Sequence, residues 1–407
     1  MSGMTGRRAV LILFCLALLA LTMPVGAQAP WSVYLLDTGT QALLRVGADG
    51  SQTTIPLGLG PGDYLSAYDI SFSPDGTKAA LCPVNYGDEA TPPKATLIIL
   101  DLTTQTQTLR TDLGPALGCR ATYRSDGSFI ALGLVHYLPG DVQAVPDLPA
   151  WELRVVEPAL GGTIAQLRAD GPEAAAAGLA SNPPVLPVVR RFDGAELVFA
   201  AMPFATGGPG VVPAFSWRVD AAALTPAEPW GNLQIDAIPG ADIAWAAADP
   251  TRPAGQPPGP LPANNVALVR DSSGQIRPVF ASPDWLLIGT RFIDDGRRLA
   301  LQLVAPMDPA ATDARVPTRW IAVDRSGAVE ELTGTASYAQ LAGAPGGYVV
   351  LQAFTPDGGL PTYTLDYNAG GQIQTLWAAE SSASAFDLAW APPVTAGAGL
   401  PPFAAIP

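Results

Sequence analysis

The sequence predicts an all-β fold, a seven-bladed β-propeller of four-stranded antiparallel blades. It also predicts that the ring closes by pairing N-terminal and C-terminal strands in one blade. Helical periodicity is nearly absent, and short apolar or alternating runs end at Gly, Pro, Asp or Asn. Two features then recur along the chain, a strand that ends in a tight turn and an apolar run closed by an acid.

The amino-acid composition excludes several fold classes and argues against one class of partner. Charged residues make up 14% of the 407 residues, and Gly and Pro number 42 each. This composition excludes a helical bundle, a coiled coil and a highly charged disordered chain. The net charge of -14 argues against a nucleic-acid partner, because such binders need a basic face for the phosphates.

The first 27 residues match a signal peptide. Arg7 and Arg8 precede an apolar run from Ala9 to Leu21, and small residues lead to a cleavage site after Ala27. Loss of the two arginines leaves a mature net charge of -16. We therefore expect a secreted, periplasmic or cell-surface protein without membrane insertion after cleavage. The alternative is an uncleaved N-terminal membrane anchor.

One complete repeat shows what a blade contains. A first strand runs into the turn Asp69 to Gly76, a second spans Lys78 to Val84, and a third spans Ala95 to Leu100. A fourth strand follows from Gln105 to Leu109. The turn residues supply the positive backbone angles that short hairpins need.

Both recurring features count to seven. The turn glycines, with an Ala-Pro-Pro stretch in the last place, are Gly76, Gly127, Gly194, Gly240, Gly296, Gly347 and Ala391-Pro392-Pro393. The acids or equivalents that close a predicted third strand are Asp37, Asp101, Glu157, Asp220, Asp271, Asp324 and Asp366. We expect these acids to accept hydrogen bonds from turn amides.

The two chain ends complete one blade. We expect Trp31 to Asp37 and Ala42 to Val46 to be its third and fourth strands, and Phe386 to Trp390 to be its first. A ring buries both faces of every blade, so the propeller domain should span residues 28–400, followed by a tail at 401–407. Trp31, Trp151, Trp217 and Trp320 are predicted to pack between blades.

The segment Ile70-Ser71-Phe72-Ser73-Pro74-Asp75-Gly76, followed by Lys78-Ala79-Ala80-Leu81, resembles the repeat of TolB-like, WD-type β-propellers. The pattern covers nearly the whole mature chain but is blurred in other blades, as at Asp294-Asp295-Gly296. The separate N-terminal domain of TolB has no match in this sequence, so the resemblance implies the fold and not the role. Thr355-Pro356-Asp357-Gly358 looks like the turn but falls between a second and a third strand.

Long Pro- and Gly-rich connections between second and third strands should lie on one face of the ring, which we call the looped face. Propellers commonly bind partners through such loops, although neutral drift also lengthens them. The candidate binding residues on this face are Tyr86, His136, Tyr137, Trp151, Phe204 and Trp285. Aromatic side chains there can stack on a glycan or anchor a protein partner, or lie against their own blade.

Catalytic signatures are missing. His136 is the only histidine, which excludes multi-histidine metal sites, and there is no Gly-x-Ser-x-Gly motif. Asp88, Glu89, Asp141 and Asp147 lack the spacing of a calcium loop. We expect a monomeric, non-enzymatic binding or scaffold module without cofactor or metal. An enzyme acting on a carbohydrate or lactone through loop carboxylates is the alternative.

Two cysteines remain after export, Cys82 and Cys119. Their distances from the turns of neighbouring blades place both near the looped face. An oxidising compartment and an even count favour a disulfide between them, and two buried free thiols are the alternative.

Overall fold

The computed structural model describes residues 31–87, 91–136, 148–179, 185–203, 214–227, 236–238, 241–247, 265–305, 318–333, 339–355, 359–381, 385–395, 397 and 399–406. The predicted signal peptide lies outside these ranges. The fold below is that of the compact unit Ser32–Pro407.

Seven antiparallel sheets form a ring, as the repeat count predicts. Written from the innermost strand outwards, blade 1 is β30 (Phe386–Trp390), β1 (Ser32–Asp37), β2 (Ala42–Gly47) and β3 (Gln52–Pro56). Blade 2 is β5 (Ile70–Phe72), β6 (Lys78–Leu81), β8 (Lys94–Asp101) and β9 (Thr106–Pro115), with the short pair β4 (Asp63–Tyr64) and β7 (Val84–Asn85) at its looped end. A 3-10 turn, Ala67–Asp69, precedes β5.

The next two blades follow the same order. Blade 3 is β10 (Gly118–Tyr123), β11 (Ile130–Val135), β12 (Trp151–Val156) and β13 (Thr163–Arg168). Blade 4 is β14 (Val185–Asp193), β15 (Glu196–Pro203), β16 (Ala214–Arg218) and β17 (Ala223–Pro226). A short helix, α1 (Pro172–Ala176), connects them.

Three blades complete the ring. Blade 5 is β18 (Asp236–Ala237), β19 (Ile243–Ala247), β20 (Val266–Arg270) and β21 (Ile276–Ala281). Blade 6 is β22 (Leu286–Ile293), β23 (Arg298–Val304), β24 (Thr318–Asp324) and β25 (Val329–Thr333). Blade 7 is β26 (Ala339–Ala344), β27 (Gly347–Phe354), β28 (Thr362–Ala369) and β29 (Gln372–Glu380).

The two chain ends do pair, but with a different division of strands. β30 pairs with β1 in antiparallel register, with Asp37 opposite Phe386. The N-terminal segment therefore supplies the second, third and fourth strands of blade 1, and its assignment as third and fourth is wrong. β1 is as apolar as a third strand because neighbouring blades bury both of its faces, so hydrophobicity does not separate the two positions.

The strand order of blade 1 also changes which acid closes its third strand. Asp37 follows a second strand, and the acid after the third strand of blade 1 is Asp49, whose Oδ1 accepts a hydrogen bond from the Ser51 amide at 2.9 Å. The predicted turn bonds are confirmed at Asp101, Asp271 and Asp324. Asp101 accepts from the Thr104 amide at 2.8 Å, and Asp324 accepts from the Ser326 amide at 2.8 Å. These bonds fix the turns on the face opposite the loops, which we call the plain face. Asp366 does not close its strand, because it lies within β28, where it accepts from the Thr375 hydroxyl at 2.6 Å.

Aromatic packing between blades holds the ring together. Trp151, Trp217 and Trp320 are at most 3% exposed, which confirms their predicted packing. Trp151 contacts Phe199 of the next blade, with ring centroids 6.4 Å apart. Where the two chain ends pair, Trp390 covers the blade 2 turn at Gly76. The φ of Gly76 is 66°, and a Cβ atom there would meet the Trp390 ring at 2.5 Å. Glycine is needed there for both conformation and space.

The chain after β30 crosses the plain face. Val394 packs on blades 6 and 7, and Phe403 is buried with Ile238 and Phe292. The Arg325 guanidinium lies 4.4 Å from the Phe403 ring centroid, and the Ala404 amide donates to the Arg325 carbonyl at 2.9 Å. The predicted tail is thus docked against blades 5 and 6.

Candidate functional site

The candidate residues predicted on the looped face differ in how exposed their side chains are. Tyr137 and Phe204 lie outside the described residues, as do Asp88, Glu89, Asp141 and Asp147. Tyr86 is 51% exposed, and Trp285 is half-buried beneath Arg319, whose guanidinium lies 4.4 Å from the indole centroid. His136 and Trp151 are 5% and 1% exposed, so neither presents a side chain to a partner. Trp151 is buried by apolar packing against Phe199 of the next blade, and His136 is buried in a polar network.

A second tyrosine stands beside Tyr86. Tyr64 is 57% exposed, and the two ring centroids are 6.5 Å apart with the planes tilted by 52°. Tyr64 ends β4 and Tyr86 follows β7, so the short antiparallel pair between these strands brings the rings together. The sequence gives little sign of this pair, because β4 and β7 are two residues each and lie within Gly- and Pro-rich connections.

Polar contacts fix the tyrosine pair from below. Asp63 Oδ2 accepts from the Gly60 amide at 2.7 Å, and its Oδ1 accepts from Asn85 Nδ2 at 3.0 Å. Arg110 reaches the same carboxylate at 3.2 Å from blade 2's outermost strand. The Tyr86 hydroxyl lies 3.4 Å from the Leu117 carbonyl at the start of blade 3. Two exposed aromatic rings on a rigid support can stack on a sugar or anchor an apolar side chain.

The lone histidine belongs to a buried hydrogen-bond network. His136 Nδ1 lies 2.6 Å from the Pro115 carbonyl, and Nε2 lies 2.9 Å from Glu152 Oε1. Arg154 and Gln166 also contact the Glu152 carboxylate. Burial opposes ionisation of Glu152, but hydrogen bonds from His136 and Arg154 outweigh it and lower its pKa to about 2. The network links the second strand of blade 3 to the end of blade 2.

The two cysteines lie close by. A disulfide joins Cys82, which follows β6 of blade 2, to Cys119 of β10 in blade 3, with Cα atoms 5.6 Å apart. This distance lies within the range that disulfides span. Both residues are nearly fully buried, at 1% and 3% exposed.

A cavity of about 760 Å³ occupies the centre of the ring. Its lining includes residues from the innermost strand of every blade, among them Arg120, Arg190 and Arg291. The segment Ala391 to Val394 lines the cavity where the chain crosses the plain face. The volume is that of a small-molecule site.

No group of three or more His, Cys, Asp or Glu side chains in the described ranges is arranged to hold a metal ion. Within the same ranges, none of the helices is long and apolar enough to cross a bilayer.

Comparisons with known proteins concern the fold. No protein-family model and no curated protein matches the sequence. Similar solved structures include the β-propeller domain of the trilobed protease from Pyrococcus furiosus, at 12% identity and TM-score 0.46, covering 83% of this chain and 87% of that chain. TolB from Acinetobacter baumannii has 14% identity and TM-score 0.44, covering 92% and 69%. A prolyl endopeptidase structure has 11% identity and TM-score 0.49 over 89% of this chain, which spans 51% of that enzyme.

Proposed function

We propose that this chain is an exported, non-enzymatic binding module that holds a protein or glycan partner on its looped face. The exposed Tyr64 and Tyr86 pair carries the proposal, because two adjacent aromatic rings on a fixed support are typical of binding surfaces. The signal-peptide pattern in residues 1–27 and the Cys82–Cys119 disulfide support an extracytoplasmic location.

A role without catalysis agrees with the chemistry of the described residues. The only histidine of the chain has both ring nitrogens engaged by Pro115 and Glu152. A histidine held in this way has no ring nitrogen left to exchange a proton with a substrate. No observation on the described residues favours the alternative of an enzyme that uses loop carboxylates.

Photo-crosslinking tests the proposed surface. A photoreactive benzophenone residue replaces Tyr86 in the full chain, and a matched chain carries it at Ser272, an exposed turn residue on the plain face. After irradiation of the producing cells, we expect a crosslinked species at position 86 and none at position 272.

A glycan array covers the second class of partner. We expect the wild-type chain to bind a glycan that the Tyr64→Ala/Tyr86→Ala double variant does not, if no protein is crosslinked. The proposal fails if both crosslinking positions give the same result and the double variant shows wild-type glycan binding.

A further inference from the structure

We propose that the central cavity is a binding site for a small oxyanion, a carboxylate or phosphate group, held between Arg120 of blade 3 and Arg190 of blade 4. This site is separate from the tyrosine pair of the looped face. It uses residues on the innermost strands, which line the cavity at the ring centre.

The charges that line the cavity favour an anion. Arg120, Arg190 and Arg291 contribute three guanidinium groups, and Asp236 contributes the only carboxylate among the described lining residues. Guanidinium groups recognise carboxylates and phosphates through paired N–H donors. The lining therefore offers a small anion more favourable charge than a small cation.

The carboxylates of Asp69, Asp236 and Asp387, near the cavity, each contact an identified side chain or backbone amide. Asp69 Oδ1 lies 3.8 Å from Arg120 Nε, and Asp236 is next to Arg291 and accepts from the Phe292 amide at 2.5 Å. Asp387 accepts from Gln340 at 2.9 Å, where blades 7 and 1 meet. Burial raises the pKa of Asp69 and of Asp236.

A β-bulge directs Arg190 into the cavity. The pairing register of β14 with β15 shifts between Val189 and Arg191, so Arg190 is the extra residue of the bulge. Arg190 lines the cavity, whereas its neighbour Arg191 pairs with Glu196 at 2.5 Å. Bulges of this kind redirect a side chain and are frequent next to functional sites.

The two arginines also act on each other. Burial, and after it the positive charge of Arg120, lower the pKa of Arg190 to about 10. Arg190 remains charged at neutral pH, so two like charges share a half-buried site. A bound oxyanion would accept charge-assisted hydrogen bonds from both guanidinium groups and would reduce the repulsion between them.

The shape of the cavity suits a small ligand. Its volume of about 760 Å³ falls in the range of small-molecule pockets. The docked segment Ala391 to Val394 lies at the plain-face end. A ligand of a few carbon atoms with one or more carboxylates fits this space.

Isothermal titration of the full chain with citrate and with inorganic phosphate, at ionic strength fixed with sodium chloride, tests the site. We expect saturable binding of at least one of these probes to the wild-type chain, with one site per chain. Arg190→Gln and Arg120→Gln should each weaken it about tenfold or more, because each removes a charge-assisted contact.

Arg191→Gln is the matched control, since it removes the neighbouring arginine outside the cavity, and it should bind as the wild type does. If Arg190→Gln does not fold, Arg190→Lys replaces it, and we expect weaker binding because lysine lacks the paired donors. Absence of saturable binding to the wild type, or equal losses in Arg190 and Arg191 variants, overturns the proposal. The Tyr64→Ala/Tyr86→Ala variant should keep oxyanion binding, so failure at one site is distinguishable from failure at the other.

Discussion

Among single residues, the buried pair of His136 and Glu152 depends on hydrogen bonds that each must find inside the protein. Both ring nitrogens of His136 face oxygens that can only accept, the Pro115 carbonyl and the ionised Glu152 carboxylate. Removal of either partner leaves a buried polar group unsatisfied, which is costly.

We predict that Glu152→Gln destabilises the chain at neutral pH by about 3 kcal/mol, since the pKa of this carboxyl falls from 4.5 to about 2 on folding. A carboxyl with a lowered pKa stabilises the fold above its unfolded pKa, and this stabilisation is lost as the pH falls through the folded value. The difference between wild type and variant should therefore shrink between pH 4.5 and about 2.

Denaturant unfolding at several pH values measures this difference. Glu157→Gln, an exposed acid in the next turn of the same blade, is the control and should have little effect. A Glu152→Gln effect that stays constant from neutral pH to pH 2 would contradict the assigned pKa shift.

Among the blades, blades 2 and 3 are joined by a disulfide and a side-chain hydrogen bond in addition to their packing. The disulfide between Cys82 and Cys119 and the hydrogen bond from His136 to the end of β9 connect the same two blades. The sequence predicts the pairing of the cysteines because their distances from the turn glycines place them at one level. It does not predict the short β4–β7 pair, because two-residue strands leave no periodic pattern.

We predict that the native exported chain contains this disulfide and is two hydrogen masses lighter than the reduced chain. The bridge closes a loop with a sequence separation of 37 residues. In the chain-entropy model, such a loop stabilises the fold by about 4 kcal/mol. Cys82→Ala/Cys119→Ala should lower the denaturation midpoint, and reductant should have no further effect on it. A mass showing two free thiols in native exported protein would contradict the bridge.

For the molecule as a whole, the sequence predicts the number of blades but does not predict which residues line the central cavity. The turn glycines of blades 2, 3, 4 and 6 (Gly76, Gly127, Gly194 and Gly296) have positive φ, which leaves a residue-specific signal in the sequence. In blade 7 the glycine with positive φ is Gly346, so the assignment of the turn to Gly347 is wrong by one residue. Gly240 lies outside the described residues. Arg120 and Arg190 are 70 residues apart and line the same cavity because blades 3 and 4 are neighbours and a bulge redirects Arg190, and a bulge leaves no linear signature. The sequence predicts that the two chain ends pair in one blade but not which strands each end supplies, since second and third strands are equally apolar.

The pairing of β30 with β1 closes the ring, and a cross-strand disulfide tests this pairing directly. Asp37→Cys/Phe386→Cys places cysteines at paired positions, and Asp37→Cys/Asp387→Cys shifts the second by one residue to the opposite face of the strand. Mass spectrometry after mild oxidation, with the native disulfide mapped separately, should find the 37–386 bridge in the first variant and no 37–387 bridge in the second. A folded first variant with both new thiols free, or a bridge in the shifted variant alone, would contradict the closed seven-bladed ring.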